Sequence, residues 1–542
     1  MNNNNINIFR QYWLIAAIAL LIVSNNVVAQ SEYQPYSFQF DQNYNQYLYS
    51  TKTREHTVLK PLLMGDSLIK SNYDSAVGNH KLYWTSGRFY NEHLINSKSA
   101  NSTFYADVLP DISRGINLSG GQAPNINSLG MQLGGTVSSK FSYYASIYGN
   151  NETFPNYLST YIRQTGIIPG QSSVGDSTGK NNYSWAYITA LASYTPNKYL
   201  NISLGRDKNF IGDGYRSLLL SDYASPYLFF KLTATLGNLR FMSMWTYMND
   251  PASTSPLGID RKKFGVFHFI DWNVNNRMSI GLFENVIGYY TDDNGAKRPF
   301  DFYYLNPLIV MKPINNSSND PDKSLLGLNF KYKLSSHLTY YFQFALNEFN
   351  SKDLFPNDGS YTNKYGYQLG FRGNELFNIK GLSYLVESNN VRPFTYSARS
   401  AIESYSDNGE ALAHPWGANF REIVGLFNYH HNRWNFSLEA DYGKYGLDSS
   451  KLNFGRDIFK SYTTYTKKYG NDIGQGLITK IVYIESKAAY VLNPKYNLRL
   501  EIGVLLRTDK NYAFDDKTSL LTIGLRSSFR NLYTDIVSYK TH

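Results

Sequence analysis

Residues 326–347 read LGLNFKYKLSSHLTYYFQFALN. Leu326, Leu328, Phe330, Tyr332 and Leu334 fall on one parity, and Gly327, Asn329, Lys331 and Lys333 on the other. Ser335, Ser336 and His337 turn the chain. The return run sets Leu338, Tyr340, Phe342, Phe344 and Leu346 against Thr339, Tyr341, Gln343, Ala345 and Asn347. Side chains of a strand alternate between its faces, so this is a β-hairpin with one apolar and one polar face. A soluble sandwich also alternates. The fold therefore depends on whether the pattern recurs and on how its units are joined.

The pattern recurs from about residue 103 almost to the end of the chain. It predicts strands near 104–118, 127–138, 141–149, 182–195, 198–206, 224–237, 238–249, 261–273 and 276–289. It continues at 324–335, 336–348, 363–374, 380–390, 417–431, 432–443, 473–492, 494–508 and 516–530. Glu439 and Asp441, and likewise Arg499 and Glu501, are charges at alternate positions opposite an apolar face. In a barrel such charges point into a water-filled lumen while the apolar face meets lipid. On that reading a charge at Phe342 or Phe344 costs about 2–4 kcal/mol near the bilayer midplane, and one at Gln343 costs little.

The connections sort by parity. Short turns alternate with longer links, which include 150–181, 207–223, 250–260, 290–323, 349–362, 391–416, 444–472 and 509–515. Outer-membrane barrels have short periplasmic turns and long external loops. Pro256, Pro299, Pro307, Pro313, Pro321, Pro356, Pro393 and Pro415 all sit in the long links, where the missing amide hydrogen is tolerated. The fold class read from this is all-β: a transmembrane antiparallel β-barrel of about 18 strands, both barrel ends on the periplasmic side.

Composition agrees. The chain has 542 residues, no Cys, 48 Tyr and 32 Phe. Its 16% aromatic content suits girdles at two membrane surfaces. Residues 1–29 read as a cleaved signal peptide: Arg10, an apolar run from Trp13 to Val23, and small residues before Gln30. Removing them leaves 542 − 29 = 513 residues. No later run is long enough for a spanning helix. Residues 30–102 form an N-terminal segment, periplasmic or lodged in the barrel mouth, with an amphipathic helix over 82–95. The barrel is placed at 103–533 and a tail at 534–542. The net charge of +10, or +9 without Arg10, is scattered, so nucleic acid is not the expected partner.

Three stretches stand out. Residues 204–226, LGRDKNFIGDGYRSLLLSDYASP, hold Arg206, Asp207, Asp213, Arg216 and Asp222 around three leucines. Leucines are costly in water, so this loop is expected to fold back into the wall or lumen. Gly212-Asp213-Gly214 reads as a tight turn with positive φ. Residues 302–313, FYYLNPLIVMKP, put Tyr304 and Asn306 in a Pro-bounded segment that packs at the rim or plugs the lumen. Trp416, in His414-Pro415-Trp416-Gly417, is expected as a membrane-interface anchor. Arg206, Asp207, Asp213, Arg216, Asp222, Tyr304, Asn306 and Trp416 are the candidate lumen or loop contacts for a ligand. His430-His431 reads as a turn rather than a metal site. Asp292-Asp293 and Asp320/Asp322 read as solvated charge. No hydrolase, nucleotide or metalloprotease motif holds up, and no cofactor is expected.

The first two stretches, with HTVLKPLLMGDSL at 56–68, resemble the Wzi-type capsule-assembly barrels, and most of all the branch known as the gliding motility protein RemB. The resemblance implies an 18-stranded outer-membrane barrel with an N-terminal helical element on the periplasmic side. It also implies a non-enzymatic role in surface polysaccharide association and in gliding or surface motility. Its partners would be outer-membrane lipid, surface polysaccharide, and motility or secretion machinery; it would act as a monomer. An alternative from the residues alone is a porin or hydrophobic-solute transporter with an open lumen. An outer-membrane hydrolase is a third reading.

Overall fold

The computed structural model describes residues 37–42, 45–62, 87–138, 140–177, 181–299, 302–305, 323–347, 358–449 and 451–538. Eighteen long strands close an antiparallel barrel. In chain order they are β1 Ser102–Asn117, β2 Asn125–Val137, β3 Phe141–Thr153, β4 Asn182–Asn197, β5 Leu200–Asp207 and β6 Tyr227–Leu236. Then come β7 Leu239–Asp250, β8 Arg261–Asn273, β9 Met278–Tyr289, β10 Lys323–Lys333, β11 Leu338–Asn347 and β12 Tyr365–Asn374. The last six are β13 Leu382–Val391, β14 Phe420–His431, β15 Trp434–Leu447, β16 Leu477–Asn493, β17 Leu498–Lys510 and β18 Asp515–Ser527. Each strand pairs with its neighbour in sequence, and β18 returns to β1, with Leu520 opposite Asn117 and Leu525 opposite Ile112. Closure leaves no long edge for another chain to pair with.

The opening hairpin is β10–β11, with Phe330 opposite Phe342 and Lys331 opposite Tyr341. Its parity is as read from the sequence: Leu328, Phe330, Phe342 and Phe344 face outward, while Asn329, Lys331 and Gln343 are buried inside. The outward face of the whole barrel is an apolar band, with Leu129, Met131, Ile147, Leu282, Ile423, Leu500 and Ile523 exposed on it. Aromatic side chains mark the short-turn rim: Phe141, Trp272, Phe371, Trp434 and Phe436 are exposed there, and Trp434 packs edge-on against Tyr490 at 5.1 Å. The aromatic load has a second destination, however. Tyr148, Tyr223, Tyr341, Tyr396, Tyr445 and Tyr483 are fully buried inside.

The sidedness of the connections also holds, with one shortening. The link between β17 and β18 is the four-residue turn 511–514, yet it lies at the long-loop end because parity, not length, sets the side.

Chain occupies much of the lumen, and among the described residues at least four segments enter it. Residues 45–62 come in from the short-turn end: Thr51 Oγ1 meets Ser336 Oγ at 2.9 Å, and Arg54 donates to the carbonyls of Asn273 and Val274 at 2.7 and 2.8 Å. Residues 208–226, the inner loop, descend from the long-loop end. The two meet midway, where Leu59 and Lys60 pair with Ile211 and Phe210. Residues 392–419 cap the inner loop from above, Tyr396 Oη donating to Leu218 O at 2.8 Å. Residues 528–538 turn in at the short-turn end and run back up the lumen to Ser538, whose hydroxyl reaches Asp509 Oδ2 at 2.9 Å.

Several expectations are corrected here. The last strand ends at Ser527 rather than continuing toward residue 533, because Arg530 and Asp535 leave the wall for carboxylate and guanidinium partners inside. The described end of the chain therefore lies inside the lumen near the long-loop end and not below the short turns. The expected helix over 82–95 is, within the described residues, one turn at Gly87–Tyr90 followed by a strand at Ile95–Lys98 that pairs with β1. Residues 1–29, expected as a signal peptide, lie outside the described residues.

Candidate functional site

The inner loop holds most of the residues singled out in the sequence. Leu218, Leu219 and Leu220 are 0% exposed, so the three leucines pack inside as their cost in water requires. The turn at 212–214 differs from expectation. Gly212 has φ 159°, close to extended backbone, and Gly214 has no positive φ. Gly214 serves close approach instead, since a Cβ there would lie 2.1 Å from Glu387 Oε2.

Asp213 is where the N-terminal segment and inner loop join. Its carboxylate accepts from Tyr49 Oη at 3.0 Å and Thr57 Oγ1 at 2.5 Å, with Asn329 Nδ2 at 3.3 Å and Lys331 Nζ at 3.7 Å. Burial alone would push its carboxyl up; Lys331 and the Thr57 hydrogen bond outweigh it and hold it below the usual range. Further along the same loop, Arg216 donates to Glu422 Oε1 at 3.3 Å and to Asp535, and lies over the Tyr215 ring at 4.4 Å. Burial works against its charge, but Asp535 and Glu422 raise its pKa well above the ordinary value. Glu422 also receives His414 Nε2 at 2.6 Å and Asn389 Nδ2 at 2.7 Å. The Arg216 knot thus ties the inner loop, two strands, the cap and the 528–538 segment at one point.

The other candidates scatter. Asp207 faces inward and accepts from Lys208 N at 2.8 Å. Asp222 offers its backbone carbonyl to Lys208 Nζ at 2.8 Å. Arg206 points to the outer face, one residue out of phase with Asp207, so it is not a lumen contact. Tyr304 packs on the outer wall, 5.3 Å from Phe264, and its carbonyl accepts from Trp245 Nε1 at 2.9 Å. Asn306 lies outside the described residues. Trp416 is not an interface anchor. It is 0% exposed, its Nε1 donates to Asp535 O at 3.2 Å, and it lies over Gly443, whose missing side chain makes room for the ring. Of the acidic pairs, Asp292 accepts from the backbone of Asn294 and Ala296, both at 2.8 Å, and Asp293 pairs with Arg261 at 2.6 Å. Asp320 and Asp322 are outside the described residues. His430 bonds Asn435 at the turn, and among the described residues no His, Asp and Glu cluster is fit to hold a metal ion.

Most partners that complete the knot were not singled out from the sequence. His414 lies in the stretch read for Trp416, while Glu387, Asn389, Glu422 and Asp535 carry no motif. The available signal was inward parity: Glu387 and Glu422 are charges on the lumen face of strands.

Among the described residues, the long-loop end carries an exposed surface. There, loops 358–364 and 448–476 are zipped by Gly470 N to Asp358 O at 2.8 Å and Asn471 N to Gly359 O at 2.8 Å. Tyr361 stacks on Tyr465 at 4.2 Å and 25°. Lys467, Lys468 and Tyr469 beside them are exposed, and Lys468 Nζ lies 5.3 Å over the Tyr469 ring. Stacked phenol rings with adjacent ammonium groups can pack a sugar ring and meet a carboxylate.

A small hairpin in the cap, Ser406–Asp407 with Glu410–Ala411, joins the loops to this closure. Glu410 accepts from Gly170 N at 2.6 Å, Ser225 N at 2.8 Å and Ser225 Oγ at 2.6 Å. Burial pushes its carboxyl up to about 7, and that of Asp407 to about 6. Both values exceed those of an unfolded chain. Docking of the hairpin is therefore fully favoured below the ordinary carboxylate range at about pH 4 and loses stability progressively as pH rises from there to about 6 to 7. Protection factors of the amides over 405–412, each taken relative to the intrinsic exchange rate at the same pH, are expected to be higher at pH 5 than at pH 8, with the difference reduced in Glu410→Gln. Equal protection factors at both pH values would contradict it.

No protein-family model matches the sequence, and no curated protein matches it. Among solved structures the chain is similar to Wzi of Escherichia coli, an outer-membrane protein involved in group 1 capsule assembly and described as a carbohydrate-binding β-barrel. The identity is 12%, the TM-score 0.53, and the match covers 91% of this chain and 99% of that one. It is also matched by OprD of Pseudomonas aeruginosa (11% identity, TM-score 0.41, 78% of this chain and 94% of that one). A BenF-like porin from Pseudomonas fluorescens matches at 11% identity and TM-score 0.42, over 79% of this chain and 99% of that one.

Proposed function

We propose that this chain is a non-enzymatic outer-membrane barrel that holds surface polysaccharide at its long-loop face. The observation that carries the reading is the filled lumen. Segments of the chain occupy the bore, so in this reading the barrel serves as a platform, and its outward chemistry is the aromatic and basic surface around Tyr361, Tyr465, Lys467 and Lys468. The likeness to a carbohydrate-binding barrel supports it. In this reading the short turns, at the end through which residues 45–62 enter the lumen, face the periplasm, the apolar band sits in lipid, and the chain acts as a monomer. Retention of capsule or exopolysaccharide then supports gliding or surface motility, with motility or secretion machinery as further partners. The filled lumen weighs against the porin-like alternative.

Purified barrel is expected to retain acidic polysaccharide in a pull-down. Tyr465→Ala combined with Lys467→Gln and Lys468→Gln should weaken retention at least about tenfold, about 1.4 kcal/mol, without altering the heat-modifiable barrel band. Deleting the gene should release polysaccharide from cells and reduce spreading. Unchanged retention in both experiments would sink the proposal.

A further inference from the structure

Four cationic side chains stand side by side on the outer wall, near the long-loop ends of β14, β15, β16 and β17. The strand register sets Arg421 opposite Lys444, Lys444 opposite Lys480, and Lys480 opposite Lys510. Their chain neighbours fix the side they face. Phe420, Glu422, Tyr445, Thr479, Ile481 and Asp509 are buried on the inner face, so the residues one step along point out. Arg421, Lys480 and Lys510 are exposed, and Lys444 is half-buried. Neighbouring strands lie about 4.8 Å apart, so the row spans about 15 Å of wall.

Like charges directly opposite one another destabilise a sheet, and the protein relieves little of this. Among the described residues no carboxylate pairs with Arg421, Lys444 or Lys480. Lys510 alone in the row has one: Asp515 Oδ2 at 2.9 Å, which Lys517 shares at 3.7 Å. Outward cations elsewhere on the wall are placed differently. Arg114 stands opposite Asn125 and Ile523, Arg206 opposite Ala190 and Leu228, and Lys262 opposite Asn249, all neutral. Two residues further along β14, β15 and β16 the wall turns apolar. Ile423 stands opposite Tyr442, and Tyr442 opposite Val482, and all three are exposed. The row therefore adjoins the lipid-facing band.

An occupant that fits both parts of this surface carries several negative charges and also apolar chains. Acidic polysaccharide has the charge but nothing to lay on Ile423, Tyr442 and Val482. Long cationic side chains rest their stems on apolar surface and hold their heads at its polar edge, the level of a lipid headgroup. We infer that the row is a binding site for a phosphorylated lipid of the leaflet at the long-loop end. Its phosphates meet Arg421, Lys444 and Lys480, and its acyl chains run along the apolar positions of the same strands. Arg421 takes a phosphate through two parallel N–H donors, and the lysines act as point charges. The site shares no residue with the loop surface around Tyr361 and Lys468, so it stands or falls apart from the polysaccharide reading.

Lipid A bearing both of its phosphates is the probe. In native mass spectrometry from a nonionic detergent, the full chain should retain it and should lose lipid A stripped of its phosphates. Arg421→Gln combined with Lys444→Gln and Lys480→Gln should weaken retention at least about tenfold. The heat-modifiable band should be unchanged, since none of the three has an ion-pair partner in the fold. Arg114→Gln combined with Arg206→Gln and Lys262→Gln removes the same charge elsewhere on the wall and should retain the lipid as the wild type does. Tyr465→Ala combined with Lys467→Gln and Lys468→Gln should retain it too. Equal loss in the two sets of wall variants would reduce the effect to general charge and overturn the inference. So would equal retention of the stripped lipid, or displacement of lipid A by inorganic phosphate, the mark of a free-phosphate site. Retention of acidic polysaccharide through Arg421, Lys444 and Lys480 with no lipid A bound would overturn it as well.

Discussion

Arg216→Ala is expected to undock the inner loop at a cost of about 3–5 kcal/mol and to make the barrel conduct ions. Arg216 is 2% exposed, and it is the cation for Asp535 and one of the partners of Glu422. Removing it leaves an uncompensated Asp535 carboxylate inside the lumen and a Glu422 held only by His414 and Asn389. The loss falls at the one point where the inner loop, β13, β14 and the 528–538 segment meet, because the backbone of Tyr215 and Arg216 also donates to Glu387. Barrel hydrogen bonds are untouched, so the heat-modifiable folded band should persist. Planar-bilayer recordings should be silent for the wild type and show channels for the variant, and trypsin should newly cut within 208–226 or 528–538. Arg216→Lys should lie between, since it keeps the charge but loses the planar fork. A variant that stays silent and protease-resistant would mean that the knot does not hold the lumen shut.

The second large effect tests which side of the wall is wet. Phe342→Arg places a guanidinium on the lipid face in the middle of β11 and is expected to cost about 2–4 kcal/mol. One residue on, Gln343→Glu is expected to be damaging as well, against the low cost anticipated for a water-filled lumen. Gln343 is 0% exposed. Its Nε2 donates to Ile211 O at 3.0 Å and Asn329 Oδ1 at 3.1 Å, and its Oε1 accepts from Leu218 N at 3.0 Å. A glutamate turns the donor into an acceptor facing two other acceptors, a loss of about 1–3 kcal/mol for each buried group left unpaired. Urea unfolding from lipid vesicles checks both. A near-neutral Gln343→Glu would show that the inner face is solvated after all.

The strands were legible because alternation is local. In β10 and β11, parity alone placed Phe330 and Phe342 outward and Lys331 and Gln343 inward, and the structure agrees. Parity of connections placed even the four-residue turn 511–514 on the correct side. The inward folding of Leu218, Leu219 and Leu220 was legible for the same kind of reason, since apolar side chains in a long loop must find a core. The candidate site was much less legible. Arg206 was grouped with Asp207 although one step along a strand reverses the face, and Trp416 was assigned to the membrane surface because a lone Trp before a strand carries no sign of what lies behind it.

The amino-acid order by itself determined the strands, their faces and the sides of the connections, since each depends on a residue and its near neighbours. Only the tertiary structure decided that other segments of the chain occupy the lumen. Asp213 is satisfied by Thr57 and Lys331, and Arg216 by Glu422 and Asp535, groups separated by more than a hundred residues of chain. The same inward charges line a channel when water meets them and a sealed core when other segments do. Closure of the barrel is what brings those segments within reach.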